Sequence, residues 1–284
     1  MDLLKEGDKQ QTIAGAVSFS GTALHTGKEV EIRFIPAEAG TGIVFRRTDL
    51  PSALEIRAEP LQVVSTRRCT SLGTGEEEAV HTVEHIMAAL WACGIDNVII
   101  EINGPETPVA DGSARPFINL LQETGLSELS APRKILCIEE PLWIRRGKMY
   151  IIVLPFAGFK ISYTLDYDHQ VIGTQFYEFA GERDEFIEEI SRARTYGFKK
   201  EIEALHRKGL ALGGSLKNAV LIGEEETVNP LRYEDEFVRH KVLDLVGDMA
   251  LNGCIEGHII SVRSGHSLHV DMARKIYKTY LAGE

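Results

Sequence analysis

Hydrophobic and polar positions follow the same order of patterns in both halves of the chain. In the first half, residues 30–36 alternate apolar and polar side chains up to a proline, and residues 42–47 form a second apolar run. In the second half, residues 149–155 again end at a proline, and residues 159–165 form the second run. Such runs, rich in β-branched and aromatic residues, are typical of strands. We therefore predict two strands in the front part of each half.

Each half then closes with a predicted helix, a glycine and a predicted strand. Apolar side chains three or four positions apart predict helices over residues 81–93 and 238–251. The strands that follow are predicted at residues 97–102 and 258–262. This repeated order predicts an α+β fold of two duplicated domains, each a β-sheet packed against helices, with the active site in the cleft between them. Chance similarity between two α+β segments is the alternative that the pattern leaves open.

The polar segment 128–133 divides the chain almost in half. We accordingly predict an N-terminal domain over residues 1–130 and a C-terminal domain over residues 131–284. The second half carries an additional stretch, residues 185–214, which we interpret as an insert that frames a ligand. The polar residues 1–10 have the character of an added or frayed start.

The first predicted helix carries the motif His81-Thr-Val-Glu-His85. Because residues four apart share one face of a helix, we predict that His81 and His85 lie together, with Glu84 beside His85. The motif matches the H-x-x-E-H pattern of inverted zinc proteases. A helix start with ordinary polar residues gives the same letters, so the motif alone leaves both interpretations open.

The second predicted helix carries a comparable set. His240 and Asp244 are four residues apart, and Asp248 continues the same face one turn further on. A histidine and a carboxylate at this spacing can chelate a metal ion, and a salt-bridged amphipathic helix is the alternative. If the halves are duplicated, a pseudo-two-fold axis brings His85 and His240 to one cleft.

A third candidate, Ser264-Gly-His266, follows the last predicted strand. We predict a loop here, and a histidine on a loop at a strand end is well placed for acid–base chemistry. An ordinary surface histidine is the alternative. His269, three residues further on, is a weaker candidate.

Together these residues form a predicted catalytic zinc site. Hydrolytic zinc sites use three protein ligands and leave one position for water. The sequence supplies His85, His240 and Asp244 as the three ligands. Glu84 could accept a proton from the water, and a cationic His266 could protonate a leaving amine. Asp248 could hold that cation, and Lys241 could meet a phosphate or a developing oxyanion.

Charge and composition indicate which classes of partner the protein could bind and where in the cell we expect it. The chain has 31 Lys and Arg against 42 Asp and Glu, a formal charge of −11, and an acidic surface repels nucleic-acid phosphates. The longest apolar run, residues 149–159, is half of the ~20 residues that span a bilayer. The polar start lacks a secretory signal, and the four cysteines form no C-x-x-C pair. We expect a cytoplasmic protein without a membrane span and without a nucleic-acid partner.

The candidate residues stand within an ordered series of motifs that reaches from about residue 11 to about residue 280. The series comprises Ser18-Phe-Ser-Gly21, Leu24-His-Thr-Gly27, His81-Thr-Val-Glu-His85, Gly94-Ile-Asp-Asn97, Asp111-Gly-Ser-Ala114, Ala193-Arg-Thr195, Gly213-Gly-Ser-Leu216, Phe237-Val-Arg-His-Lys-Val-Leu-Asp244 and Ser264-Gly-His266. In these motifs the chain resembles the UDP-3-O-acyl-N-acetylglucosamine deacetylases of lipid A biosynthesis, the LpxC family.

The resemblance implies a two-domain fold with zinc in the cleft and a role for each matching residue. The zinc ligands it implies are His85, His240 and Asp244. The catalytic residues it implies are Glu84 as general base, His266 as general acid, Asp248 beside that acid, Thr195 as an oxyanion-stabilising hydroxyl and Lys241 as a phosphate contact. The implied reaction removes acetate from UDP-3-O-(3-hydroxyacyl)-N-acetylglucosamine, the committed step of lipid A biosynthesis. An ionised base with a cationic acid predicts a bell-shaped pH–rate profile.

The resemblance also implies a passage for the acyl chain and a metal ion as the cofactor. The insert at residues 185–214 would form this passage, and its apolar residues Phe198, Leu205, Leu210 and Leu212 could line it; a local core of the insert is the alternative. The expected cofactor is Zn²⁺, and Fe²⁺ stays open because two histidines and an aspartate accept either ion. We expect a UDP-sugar that carries an acyl chain as the substrate, and a monomer.

Two other functions stay open at this point. A zinc peptidase would use His81, His85 and a remote carboxylate, but it leaves the helix at His240 without a role. A non-catalytic sugar-nucleotide binding protein on the same scaffold is disfavoured because each chemical position holds a competent residue.

Overall fold

The first half of the chain folds into a series of strands, a helix, one further strand and a second helix. The computed structural model describes residues 4–51 and 53–282. The elements of the first half are β1 (Leu4–Ile13), β2 (Val17–Thr22), β3 (Glu29–Pro36), β4 (Ile43–Arg47), β5 (Leu54–Arg57), β6 (Val63–Ser65), β7 (Ser71–Leu72), α1 (Glu84–Cys93), β8 (Val98–Ile102) and α2 (Arg115–Thr124). The strands predicted at residues 30–36, 42–47 and 97–102 are confirmed.

The second half repeats this order and adds short elements before its main helix. Its elements are β9 (Leu126–Cys137), β10 (Leu142–Arg146), β11 (Met149–Leu154), β12 (Phe159–Asp166), β13 (Thr174–Phe179), α3 (Arg183–Glu185), β14 (Tyr196–Phe198), α4 (Ile202–His206), β15 (Val220–Ile222), α5 (Glu236–Met249), β16 (Cys254–Val262) and α6 (His266–Ile276). Single 3₁₀ or π-helical turns lie at Pro60–Gln62, Phe186–Ile190, Lys199–Glu201, Ala250–Asn252 and Tyr277–Leu281. The strands and the helix predicted in this half are confirmed, with β16 starting four residues earlier.

Both halves share one sheet topology. The first sheet has the order β2-β3-β8-β4-β5, in which β8 runs antiparallel to β3 and parallel to β4. The second sheet contains the order β10-β11-β16-β12-β13, in which β16 runs antiparallel to β11 and parallel to β12. In each half the central strand follows one helix and precedes another. This common topology confirms the predicted α+β fold with a duplicated architecture.

The chain start and the predicted boundary both lie in one strand pair. β1 pairs with β9 from Leu4 onward, so the expectation of a frayed start is wrong for residues 4–10. Pairing between backbones needs no apolar side chains, which is why this polar segment gave no strand signal. The segment 128–133 lies inside β9, which also pairs with β16. The division into domains at residues 130 and 131 stays a prediction.

The two helices α1 and α5 pack against each other. Nearly all of their residues are buried, which is typical of helices at the centre of a fold. Gly94, in the left-handed conformation at φ 71°, ends α1. Where the helices cross, a Cβ atom on Gly247 would lie 2.1 Å from the backbone carbonyl oxygen of Glu84. Gly247 therefore permits the close approach of the two helices that carry most of the candidate site.

We expect Gly247→Ala to destabilise the protein. Alanine normally stabilises a helix interior by about 1 kcal/mol relative to glycine. Here the new methyl group meets a backbone carbonyl that cannot swing away, so overpacking of about 1–3 kcal/mol outweighs that gain. Urea unfolding measures the change, and Gly15→Ala is the control because nothing lies within 4 Å of its added Cβ. A Gly247→Ala protein as stable as the parent would contradict the described helix crossing.

Candidate active site

A cleft of about 350 Å³ opens where α1 and α5 pack together. Seven of the predicted site residues line it: Glu84, His85, Thr195, His240, Lys241, Asp244 and His266. Asp248 lies behind the cleft and is completely buried. The structure thus brings together side chains that the sequence places in four separate segments.

Three of these side chains converge on one point. The Asp244 Oδ1 atom lies 3.4 Å from His240 Nε2 and 3.7 Å from His85 Nε2. Tetrahedral bonds of ~2.1 Å to one metal ion place neighbouring ligand atoms at about this separation. Asp244 Oδ1 is also buried without a hydrogen-bond partner, a costly state for a carboxylate oxygen that a cation would relieve. The donor set therefore fits a metal ion.

The ring of His240 is held in the form that binds metals. Its Nδ1 donates to the carbonyl oxygen of Ala193 at 3.1 Å, which leaves the Nε2 lone pair directed toward Asp244. Burial lowers the pKa of His240 to about 3, so the ring is neutral. An ion pair anchors the segment that supplies this carbonyl, because Arg194 binds the buried carboxylate of Glu236 at the start of α5. The same segment places Thr195 at the cleft.

The two oxygens of Asp244 have different neighbours. Oδ1 faces the two histidines, whereas Oδ2 accepts a hydrogen bond from Lys241 Nζ at 2.7 Å. Burial acts to raise the pKa of Asp244, but the charges of His240 and Lys241 hold it well below its usual range. Burial likewise acts to lower the pKa of Lys241, which Asp244 holds well above its usual range. The pair is therefore ionised as aspartate and ammonium.

Glu84 and His266 face each other across the same cleft. Glu84 is the first residue of α1, its Oε2 accepts from the backbone N–H of Thr70 at 3.0 Å, and burial raises its pKa. His266 Nε2 lies 3.8 Å from Glu84 Oε1 and 3.7 Å from Asp244 Oδ2. Burial acts to lower the pKa of His266, but the carboxylates of Asp248, Asp244 and Glu84 raise it to about 9. His266 is therefore cationic at neutral pH.

The geometry thus combines a carboxylate, a cationic imidazole and a metal-binding donor set, the parts that hydrolysis of an amide needs. Residues 10–278 match the family described as LpxC: UDP-3-O-acyl N-acetylglycosamine deacetylase. The chain belongs to this family. Among its relatives, proteins named UDP-3-O-acyl-N-acetylglucosamine deacetylase come from Geotalea uraniireducens (48% identity, 92% of this chain and 85% of the relative), Citrifermentans bemidjiense (43% identity, 95% and 89%) and Acidithiobacillus ferrooxidans (43% identity, 94% and 90%).

LpxC proteins are metalloenzymes, and two side-chain groups of this member could hold a metal ion within residues 4–51 and 53–282. The first is His85, His240 and Asp244, and the second is Asp248, His266 and His269. His81 belongs to neither group. Within the part of the chain that the structure describes, no helix has both the length and the apolar composition that crossing a membrane needs.

The predicted placement of His81 on the helix of this LpxC chain is wrong. The helix α1 begins at Glu84, and Thr82 adopts a positive φ of 62°, which breaks the helical path before it. His81 instead lies beside Glu106 in a parallel bridge, and its Nδ1 contacts Ser71 Oγ at 2.8 Å. His81 and His85 therefore do not share a helical face, and the geometry that the peptidase interpretation required is missing.

The predicted loop at His266 is also wrong in this LpxC chain. His266 is the first residue of α6, because Gly265 in an extended conformation starts the helix directly after the strand end. This places His266 and His269 one turn apart on the same helix. Sequence analysis missed Thr70, which donates to Asp248, and Tyr196, which lines the cleft. The weaker candidate, His269, has its Nδ1 2.9 Å from Asp248 Oδ2.

The insert of this LpxC chain mixes buried and open apolar residues. Phe198 lines the cleft, Leu205 is buried, and Leu212 is half exposed. Two cleft residues, Arg68 and Glu201, form an ion pair with 3.0 Å between the guanidinium nitrogen and the carboxylate oxygen. Arg68 belongs to the segment before α1, and Glu201 belongs to the insert. The insert therefore borders the candidate site, and its role as an acyl passage stays a prediction.

Proposed function

We propose that this chain hydrolyses the N-acetyl group of UDP-3-O-(3-hydroxyacyl)-N-acetylglucosamine, which releases acetate and the free amine in lipid A biosynthesis. Membership in the deacetylase family supports this proposal. The observation that carries it is the convergence of Glu84, His266 and the donor set around Asp244 Oδ1 on one cleft. A non-catalytic binding protein has no need for a cationic acid and a carboxylate base at this distance.

We assign the metal to His85, His240 and Asp244 and propose that it is zinc. Zinc in such sites acts as a Lewis acid and makes water nucleophilic at neutral pH. Fe²⁺ suits the same donors, so the metal content of the purified protein decides between the two. A bound metal also supplies the missing partner of Asp244 Oδ1.

We assign the proton transfers to two side chains. Glu84 accepts a proton from the attacking water, and its carboxylate is held for this by the Thr70 N–H. His266 is cationic and donates a proton from Nε2 to the departing nitrogen, while Asp248 binds its Nδ1 at 2.9 Å. One proton is taken and one is given, so the acetamide and water become acetate and the amine.

We assign supporting roles to Thr195, Lys241 and the insert. The Thr195 hydroxyl donates to the oxyanion that forms at the acetyl carbonyl. Lys241 contacts a substrate phosphate, and its charge is maintained by Asp244. The acyl chain runs past Phe198 into the insert. A cytoplasmic location and a monomeric state are part of the same proposal.

Metal removal tests the proposed function. We expect the purified protein to release acetate from the UDP-sugar, to lose this activity when a chelator removes the metal, and to regain it when Zn²⁺ is returned. Acetate release and metal content are measured on the same samples, with Fe²⁺ and Mg²⁺ as parallel additions. A protein that binds metal and the UDP-sugar but never releases acetate would support the non-catalytic alternative.

A further inference from the structure

A second polar cluster lies directly behind His266 and is sealed from solvent. Asp248 and His269 are both completely buried. One oxygen of the carboxylate, Asp248 Oδ2, lies 2.9 Å from His266 Nδ1 and 2.9 Å from His269 Nδ1. The other oxygen, Oδ1, accepts a hydrogen bond of 2.5 Å from Thr70 Oγ1. Asp248 therefore holds three donors, two of which are imidazole rings from the first turns of α6.

A hydroxyl also contacts the far side of the His269 ring. Its Nε2 lies 2.7 Å from Ser264 Oγ, on the segment between β16 and α6. Because a carboxylate can only accept, Asp248 holds the ring proton on Nδ1, and Nε2 is then an acceptor for the Ser264 hydroxyl. The position of Ser264 is fixed by a further hydrogen bond, because its carbonyl oxygen accepts from the buried Tyr163 hydroxyl at 2.7 Å. Burial lowers the pKa of His269, which agrees with a neutral ring.

This cluster is complete without a metal ion. Each ligand atom of Asp248, His266 and His269 that faces the others has a hydrogen-bond partner. The Oδ1 atom of Asp244, in contrast, has none. Hydrogen bonding therefore separates the two groups into one that needs a cation and one that does not.

We propose that His269 is a positioning residue for the reaction, which holds Asp248 so that Asp248 orients the Nδ1 side of His266. The inference rests on the proposed deacetylation, in which His266 Nε2 must point at the departing nitrogen. A buried carboxylate with one donor fewer can rotate and is less stabilised. The imidazole that it orients then loses a fixed direction, while the binding of substrate and of metal is untouched.

Two substitutions at His269 separate hydrogen bonding from packing. In His269→Leu, which removes the donor, we expect kcat to fall by about 10–100-fold, as loss of an orienting partner commonly does. KM and the metal content should stay close to those of the parent, whereas the unfolding midpoint should fall, because the buried Asp248 carboxylate loses a donor. In His269→Asn, the amide N–H takes the place of Nδ1–H, and we expect kcat within about threefold of the parent.

A third variant and a control complete the experiment. Ser264→Ala keeps the ring and removes the hydroxyl that contacts its Nε2, so the ring is held less firmly against Asp248 and we expect kcat to fall several-fold. His258→Asn is the control, because His258 on β16 contacts Ser162 Oγ at 2.9 Å and lies outside the cleft. Its kcat should equal that of the parent.

Four results would overturn the inference. The first is a folded, metal-loaded His269→Leu protein that keeps the parent's kcat, and the second is an equal fall in kcat in His269→Leu and His269→Asn. The third is a His269→Leu protein that loses metal and activity in the same proportion. The fourth is a Ser264→Ala protein with the parent's kcat. If His269→Leu does not fold, the Asn and Ser264 variants decide alone. A parent protein that releases no acetate would instead overturn the proposed function. The acetate assay of the parent is therefore run before any variant is compared with it.

Discussion

Replacing His240 with alanine is expected to remove the bound metal and almost all acetate release. The substitution deletes one of the three proposed ligand atoms and also frees the Ala193 carbonyl that orients the ring. Because a metal ion supplies several kcal/mol of transition-state stabilisation, we expect kcat/KM to fall by at least about 10³-fold, or about 4 kcal/mol. Metal analysis and acetate release, measured together on one preparation, check both parts.

His81→Ala is the matched control for this experiment. His81 belongs to the same sequence motif as His85, yet its Nδ1 contacts Ser71 rather than the donor set. We expect His81→Ala to keep the metal and most of the activity. Full metal content in His240→Ala would contradict the assigned ligands, and loss of metal in His81→Ala would favour the peptidase interpretation.

The contrast between these two histidines shows what the sequence could predict. His240 and Asp244 are four apart inside a continuous helix, so their meeting follows from helical geometry alone. His81 and His85 have the same spacing, but the positive φ at Thr82 interrupts the helix between them. Threonine rarely adopts this conformation, and no pattern of side chains announces it.

Hydrogen-bond partners that are far apart in the sequence could not be predicted from any sequence pattern. Thr70 donates to Asp248 across 178 positions of the chain, and the carbonyl oxygen of Ala193 is a backbone atom that every residue possesses. Such contacts depend on how the two halves pack, which periodicity does not encode. His269 did have a signal, because it lies three residues after His266 and shares a helical face with it. The predicted loop at this position concealed that relation.

Glu84→Gln is expected to lower kcat by about 10²–10⁴-fold while the metal stays bound, since general-base catalysis commonly contributes this factor. The amide has the size of the carboxylate, and its oxygen can still accept from the Thr70 N–H. It cannot accept a proton from water. The proposed ligand set does not include Glu84, so the metal content should equal that of the parent.

The ratio of lost activity to lost metal identifies the role of Glu84. If Glu84 were a ligand, Glu84→Gln would lose metal and activity in proportion, and added Zn²⁺ would restore both. If it is the base, saturating Zn²⁺ restores nothing, because the fault lies in proton transfer. Glu178→Gln controls for the change in charge, since Glu178 pairs with Lys160 on the second sheet, away from the cleft. A metal-loaded Glu84→Gln protein within tenfold of the parent's kcat would mean that another group accepts the proton.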